Sequence, residues 1–148
     1  MAYHFTNHFT RSEADSLIPH IRELFLEVRL LLEPTDEDGA HHAGGNAPGA
    51  GAHKQHFNGA NSDKSTPPSP YRAWSREKRR EAAYRLLNAL QVKGIVIQDV
   101  ERGLIDFPAI VDGQEVFLCY ELSDGQTISW FHELDAGYAG RKKLPESR

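Results

Sequence analysis

Apolar residues recur every three to four positions in the first third of the chain and every two in the last third, and that change of period divides the molecule. Ala14, Leu17, Ile18, Ile21, Leu24, Phe25, Val28, Leu31 and Leu32 make one broad stripe of the kind a helix buries. Thr10 and Glu13 stand at the spacing of a reciprocal capping box, and Pro34 stops the pattern, so a helix is predicted over about 10–33. Pro19 lies inside it, where the missing amide predicts a kink between Asp15 and Pro19. Ser75 opens a second helical pattern carried by Ala83, Leu86, Leu87 and Leu90. Lys93-Gly94 ends it with a cationic last turn and a terminal glycine, giving a helix over about 75–92.

Beyond Gly94 the period falls to two. Asp112-Gly113 and Asp124-Gly125 sit between alternating apolar residues, the strongest local signal for a tight hairpin, because a type I′ turn needs positive φ at both central residues. Counting outward from two-residue loops pairs Asp106 with Cys119, Pro108 with Phe117, Cys119 with Trp130 and Phe117 with His132. Glu121 falls opposite Leu104 and Ile128. One face then carries Asp106, Pro108, Phe117, Cys119, Trp130 and His132, and the other Ile105, Phe107, Ala109, Val111, Val116, Leu118, Tyr120 and Phe131. The second set is almost wholly apolar and is expected against the helices. With Ile95 to Ile97 as an edge strand, the fold class is α+β: an antiparallel two-helix hairpin packed on a small antiparallel β-meander of three to four strands, over about 95–132. The whole chain, 1–148, is expected to be one domain ending in an irregular segment, 133–148.

Between the helices, residues 34–70 are rich in Gly, Pro and Ala, with no Leu, Ile or Val and one aromatic, Phe57. Such a stretch buries too little apolar surface to offset its ordering entropy and reads as a flexible insert. It holds His41, His42, His53 and His56, which in a Gly/Ala context without Cys read as part of a solvated linker and not as a metal tract.

Charge narrows the partners. A formal net charge of -4 over 148 residues argues against nucleic-acid or membrane-surface binding by bulk charge. The second helix is locally basic, with Arg76, Lys78, Arg79, Arg80, Arg85 and Lys93 against Glu77 and Glu81. Glu33, Asp36, Glu37 and Asp38 are expected to neutralise its start. Nucleic acid on Arg72 to Arg80 is set aside for want of interleaved aromatics. One Cys excludes an internal disulfide. The first ten residues lack an apolar core and no run approaches 18 apolar residues, so a cytoplasmic location with no membrane partner is expected.

Candidate chemistry collects on the mixed face. Asp106, Cys119 and His132 are competent metal ligands brought within several ångströms by the register, and Glu133 adds a fourth oxygen only if the strand bends after His132. No second His follows at zincin spacing. The same residues suit a thiol nucleophile with His132 as base and Asp106 as orienter. The leading alternative is structural: Cys119 as a small buried hydrophobe, Asp106 capping or paired with Arg141, and His132 bonded to backbone near Gly137. Arg141 either clamps an anion or pairs with Asp106, Glu133 or Asp135. Trp130 completes the candidate ligand site of Asp106, Cys119, Trp130, His132, Glu133 and Arg141.

Phe9-Thr10, Glu13-Ala14, Leu17-Ile18-Pro19, Gly103 to Pro108, Leu118-Cys119-Tyr120, His132-Glu133 and Asp135 to Arg141 together resemble the bacterial and archaeal family DUF2203. The resemblance covers both helices and the meander and implies no mechanism. In the family pattern Trp follows the Cys and precedes the His, whereas Tyr120 and Phe131 stand there and the indole is one place earlier, at Trp130. Two function classes follow. The first expectation is a non-enzymatic interaction or scaffold domain with a protein partner or a second copy of itself. The alternative is a small-ligand or metal-binding protein, catalysis left open, with a transition metal as the cofactor it would take. A pocket on the Cys119 face favours the alternative, and a continuous exposed apolar patch there favours the scaffold.

Overall fold

The first helix, α1, spans Arg11–Leu32. Its start is locked by the two reciprocal bonds of the capping box, Glu13 N to Thr10 Oγ1 at 3.0 Å and Thr10 N to Glu13 Oε1 at 2.9 Å. Pro19 lies inside α1 without ending it and faces solvent. The apolar stripe is buried at Ala14, Ile18, Ile21, Leu24, Phe25, Val28 and Leu31, while Leu32, the last residue of the helix, is exposed. The second helix, α2, spans Arg76–Val92 and is capped by Ser75 Oγ on Lys78 N. It closes through Gly94, at φ 98°, with Gly94 N on Gln91 O and Ile95 N on Leu90 O. That paired pattern is a Schellman stop, and it leaves Leu90 and Ile95 buried together at the exit.

The computed structural model describes residues 2–34 and 69–145. Of the insert expected over 34–70, residues 35–68, with its four histidines and the acids Asp36 to Asp38, lie outside the described residues. Two compact units are distinguished, Met1–Arg29 with Tyr84–Arg148, and Leu30–Ala83. In the smaller unit Arg79 is buried and donates from Nη1 to the carbonyls of Leu31, at 3.2 Å, and Glu33, at 3.1 Å. A cation on the last carbonyls of α1 meets the negative end of that helix. One basic residue of α2 is thus committed to main-chain oxygens.

In the larger unit five antiparallel strands lie in sequence order: β1 (Val96–Asp99), β2 (Leu104–Val111), β3 (Gln114–Tyr120), β4 (Trp130–Glu133) and β5 (Lys142–Lys143). The expectation of three to four strands misses β5, two residues long, formed inside the segment expected to be irregular. The first hairpin has the expected register, Val111 opposite Gln114 and Asp106 opposite Cys119, closed by Asp112 at φ 52° and Gly113 at φ 81°. Cys119 pairs with Trp130 and Phe117 with His132, also as expected. The second turn differs. Asp124 has no positive φ, and a short 3-10 turn over Leu122–Asp124 replaces the type I′ loop, so Glu121 pairs with neither Leu104 nor Ile128. Asp124 Oδ2 accepts from Glu121 N instead, an alternative to the ladder that Asp side chains offer readily.

The apolar face of the meander is covered by α1. Phe9, just before the helix, meets Phe107 edge-on at 5.3 Å, and Arg22 donates to the Tyr120 hydroxyl at 2.7 Å. Asp15 accepts from Ile128 N at 2.7 Å. Ile105, Phe107, Ala109, Val116, Leu118 and Tyr120 are all buried.

Candidate functional site

On the opposite face, cross-strand pairing puts Asp106 of β2 beside Cys119 of β3, and His132 of β4 reaches diagonally over β3 toward Asp106. His132 Nε2 lies 3.1 Å from Asp106 Oδ1, with both side chains at least 97% buried. Burying an aspartate at the centre of a sheet is tolerable only when its oxygens are satisfied. The second oxygen, Oδ2, accepts from Gln98 Nε2 at 3.0 Å. Gln98 sits at a bulge, since the β1 to β2 register shifts between Ile97 and Asp99.

The other ring nitrogen decides the proton count. His132 Nδ1 stands 2.8 Å from the carbonyl oxygen of Glu133, which only accepts, so Nδ1 carries hydrogen. A lone pair on Nε2 aimed at a bare carboxylate would be repulsive. The His132 and Asp106 pair therefore holds one further proton between Nε2 and Oδ1. A cation placed there would displace it.

Cys119 completes a cluster in which one ligand atom each from Asp106, Cys119 and His132 all lie within 4.8 Å of one another, all three residues buried. Burial, and then the charge of Asp106, push the Cys119 thiol up to about 12, against the opposing pull of Arg141, whose Nη1 lies 3.8 Å from Sγ. Without a cation the thiol is neutral. A cavity of about 170 Å³ opens on the cluster, walled by Gln98, Leu104, Phe117, Leu134 and Tyr138.

Two segments border this face. Leu134 to Gly140 carries Gly137, at φ 72°, and a 3-10 turn that presents Tyr138, whose hydroxyl donates to Glu121 Oε2 at 2.7 Å. The N-terminal segment is clasped by Glu115, which accepts from the amides of His4 and Phe5 and from His8 Nε2, at 2.8, 2.9 and 2.8 Å. Burial alone would raise the Glu115 carboxyl, but these donors hold it down at about 2. Phe5 meets Phe117 at 5.3 Å, and Phe117 in turn faces the His132 ring at 5.4 Å.

Three of the six candidate residues thus come together. Of the other three, only Arg141 touches the cluster, at the Cys119 sulfur. Glu133 extends β4 and alternates to the opposite face from His132, where it meets Lys142 at 3.5 Å, so it supplies no fourth ligand. Arg141 pairs with none of Asp106, Glu133 and Asp135. The turn at Gly137 carries it to the connection after β3, where it donates to both oxygens of Asp124, at 3.0 and 3.2 Å, and to Glu121 at 3.4 Å. Its guanidinium stacks on Trp130 and Tyr138, and these acceptors hold its pKa above the ordinary value against the opposing effect of burial. Trp130 lies opposite Cys119 but packs on Arg141 and Lys143 outside the cavity lining. Asp106 has Gln98 and His132 as partners in place of the expected Arg141, and the backbone acceptor of His132 is the Glu133 carbonyl, before the Gly137 turn. Sequence reasoning missed Gln98, whose position depends on a bulge, and the Arg102, Glu121 and Tyr138 contacts, which depend on the 3-10 turns.

A helix-covered five-stranded meander with a buried Asp, Cys and His cluster on its other face defines a small α+β protein with an enclosed polar cluster. The chain belongs to DUF2203, described as "Uncharacterized conserved protein", whose family model matches residues 7–144. No curated protein and no solved structure matches it.

Proposed function

We propose that this protein binds a divalent transition metal through Asp106, Cys119 and His132, with one coordination position left open to the cavity. The observation that carries this reading is the buried three-ligand cluster with its outer partners in place. Neighbouring ligands of a tetrahedral zinc lie about 3.3–3.8 Å apart, which the cluster reaches by small side-chain movements. The hydrogen bond from His132 Nδ1 to the Glu133 carbonyl orients Nε2 inward, and Gln98 on Asp106 Oδ2 leaves Oδ1 to the metal. Oxygen, nitrogen and thiolate donors together suit zinc better than magnesium or calcium. Three protein ligands and an open position are the pattern of sites that bind an exogenous ligand and polarise it.

A cavity over Cys119 is also the feature that favours a ligand site over a scaffold face. The scaffold reading draws its support elsewhere, from Leu26, Tyr84 and Val92, exposed on the helices. The deciding measurement is metal content by mass spectrometry after chelator-free purification, followed by zinc titration. About one equivalent per chain is expected, falling to trace in Cys119→Ser and in His132→Ala while Glu133→Ala keeps it. Wild-type protein that neither retains nor titrates zinc sinks the proposal.

A further inference from the structure

The apolar face of the meander extends past the start of α1. At that corner, on the face away from the metal cluster, a groove of about 540 Å³ runs between the first residues of the helix and the turn end of the β2 to β3 hairpin. Its lining includes Ala109, Val111 and Leu118 from the sheet, Phe9 on one side and Leu144 with Pro145 on the other. Both walls are fixed by main-chain bonds, Phe9 N to Pro108 O and Leu144 N to Ser129 O, each 2.8 Å. The groove is therefore preformed and falls within the roughly 300–1,000 Å³ of ligand sites.

One charge marks this apolar place. Arg11 lines the groove half-buried and donates one hydrogen bond, Nη1 to the Pro145 carbonyl at 2.7 Å. Among the described residues no carboxylate pairs with it, which leaves donors of its planar fork for a ligand. The other polar groups of the lining are already engaged. His8 is held by Glu115, and the Thr10 hydroxyl caps Glu13 N.

We propose that this groove binds a small amphipathic carboxylate, an aliphatic acid whose chain lies on Ala109, Val111 and Leu118 and whose carboxylate is received by Arg11. An apolar body alone would leave the cation facing hydrocarbon, and a purely polar anion would leave the sheet face wet. A ligand carrying both satisfies both. The site is independent of the metal cluster, which lies on the other face of the sheet.

Octanoate and 1-octanol, titrated into the full chain and followed by amide chemical shifts, test the assignment. Octanoate is expected to saturate one site, with the largest shifts at Val111 and Leu118. Arg11→Gln should weaken octanoate about tenfold and leave octanol unchanged, since only the charge-assisted bond is lost. Val111→Trp, which fills the groove, should abolish both; if that variant does not fold, the smaller filler Val111→Phe takes its place. Non-saturating octanoate shifts overturn the proposal, as does an Arg11→Gln loss shared equally by octanol, or binding that survives the filled groove. Cys119→Ser serves as the control and should bind octanoate as the wild type does, so a failure of the metal site leaves this result readable.

Discussion

Asp106 and His132 form a hydrogen-bonded pair in which neither partner could stay buried alone. Removing one leaves the other as an uncompensated polar group in the sheet, so Asp106→Ala should destabilise by about 3–5 kcal/mol, read by urea unfolding. Asp106→Asn, which keeps an acceptor for Gln98, should lose much less. Cys119 makes a prediction of the opposite kind. With its thiol pushed up to about 12 by burial and by Asp106, iodoacetamide at pH 8 should modify it only as fast as the protein opens, and bound zinc should slow that further. Alkylation at the rate of a free thiol would contradict the burial seen here. Glu115 governs acid behaviour at the N-terminal segment. Its folded value of about 2 lies below the ordinary 4.5, so the clasp contributes its full stability above pH 4.5 and loses it as pH falls toward 2. Glu115→Gln should remove that acid limb and speed hydrogen exchange of the His4 and Phe5 amides, with the amides of α1 unaffected.

At the scale of elements, the local rules that start and stop α1, α2 and the first hairpin each act over a few residues. Thr10→Ala breaks the capping box and should lower stability by about 1 kcal/mol. Arg22 joins an element to its distant neighbours. From α1 it reaches the Tyr120 hydroxyl and the carbonyls of Leu122 and Gly125, so Arg22→Ala should lose about 2 kcal/mol or more and loosen the turn after β3. A fall no larger than that of an exposed arginine would show those bonds to be dispensable. The same contacts explain why Asp124-Gly125 does not form the loop its dipeptide predicts. Gly125 O is taken by Arg22 and Tyr120, and Asp124 is taken by the Glu121 amide and by Arg141. Long-range partners outweigh a local turn preference of about 1 kcal/mol.

For the whole molecule, the proposed metal binding would be coupled to folding in one equilibrium. Free zinc at a hundredfold excess over its dissociation constant should stabilise the native state by about 2.7 kcal/mol, visible as a rise in unfolding temperature absent from His132→Ala. Affinity should fall as pH drops, because the Cys119 thiol must release its proton to coordinate. No helix is long and apolar enough to cross a membrane among the described residues. The groove beside Arg11 belongs to this scale too, since it exists only where a sheet corner outreaches the helix that covers it.

The sequence by itself determined the helices, the α+β class, the first hairpin and the face on which Asp106, Cys119 and His132 meet, because capping boxes, terminal glycines and the period-two alternation act between near neighbours. Register carried that information across three strands: once Asp112-Gly113 sets one turn, every cross-strand pair in the hairpin follows. Only the tertiary structure decided the partners of Arg141, the approach of Gln98 and the fifth strand. Each of those depends on a bulge or a 3-10 turn whose energy differs from the regular alternative by about as much as one buried hydrogen bond, and such bonds come from residues far away in the chain.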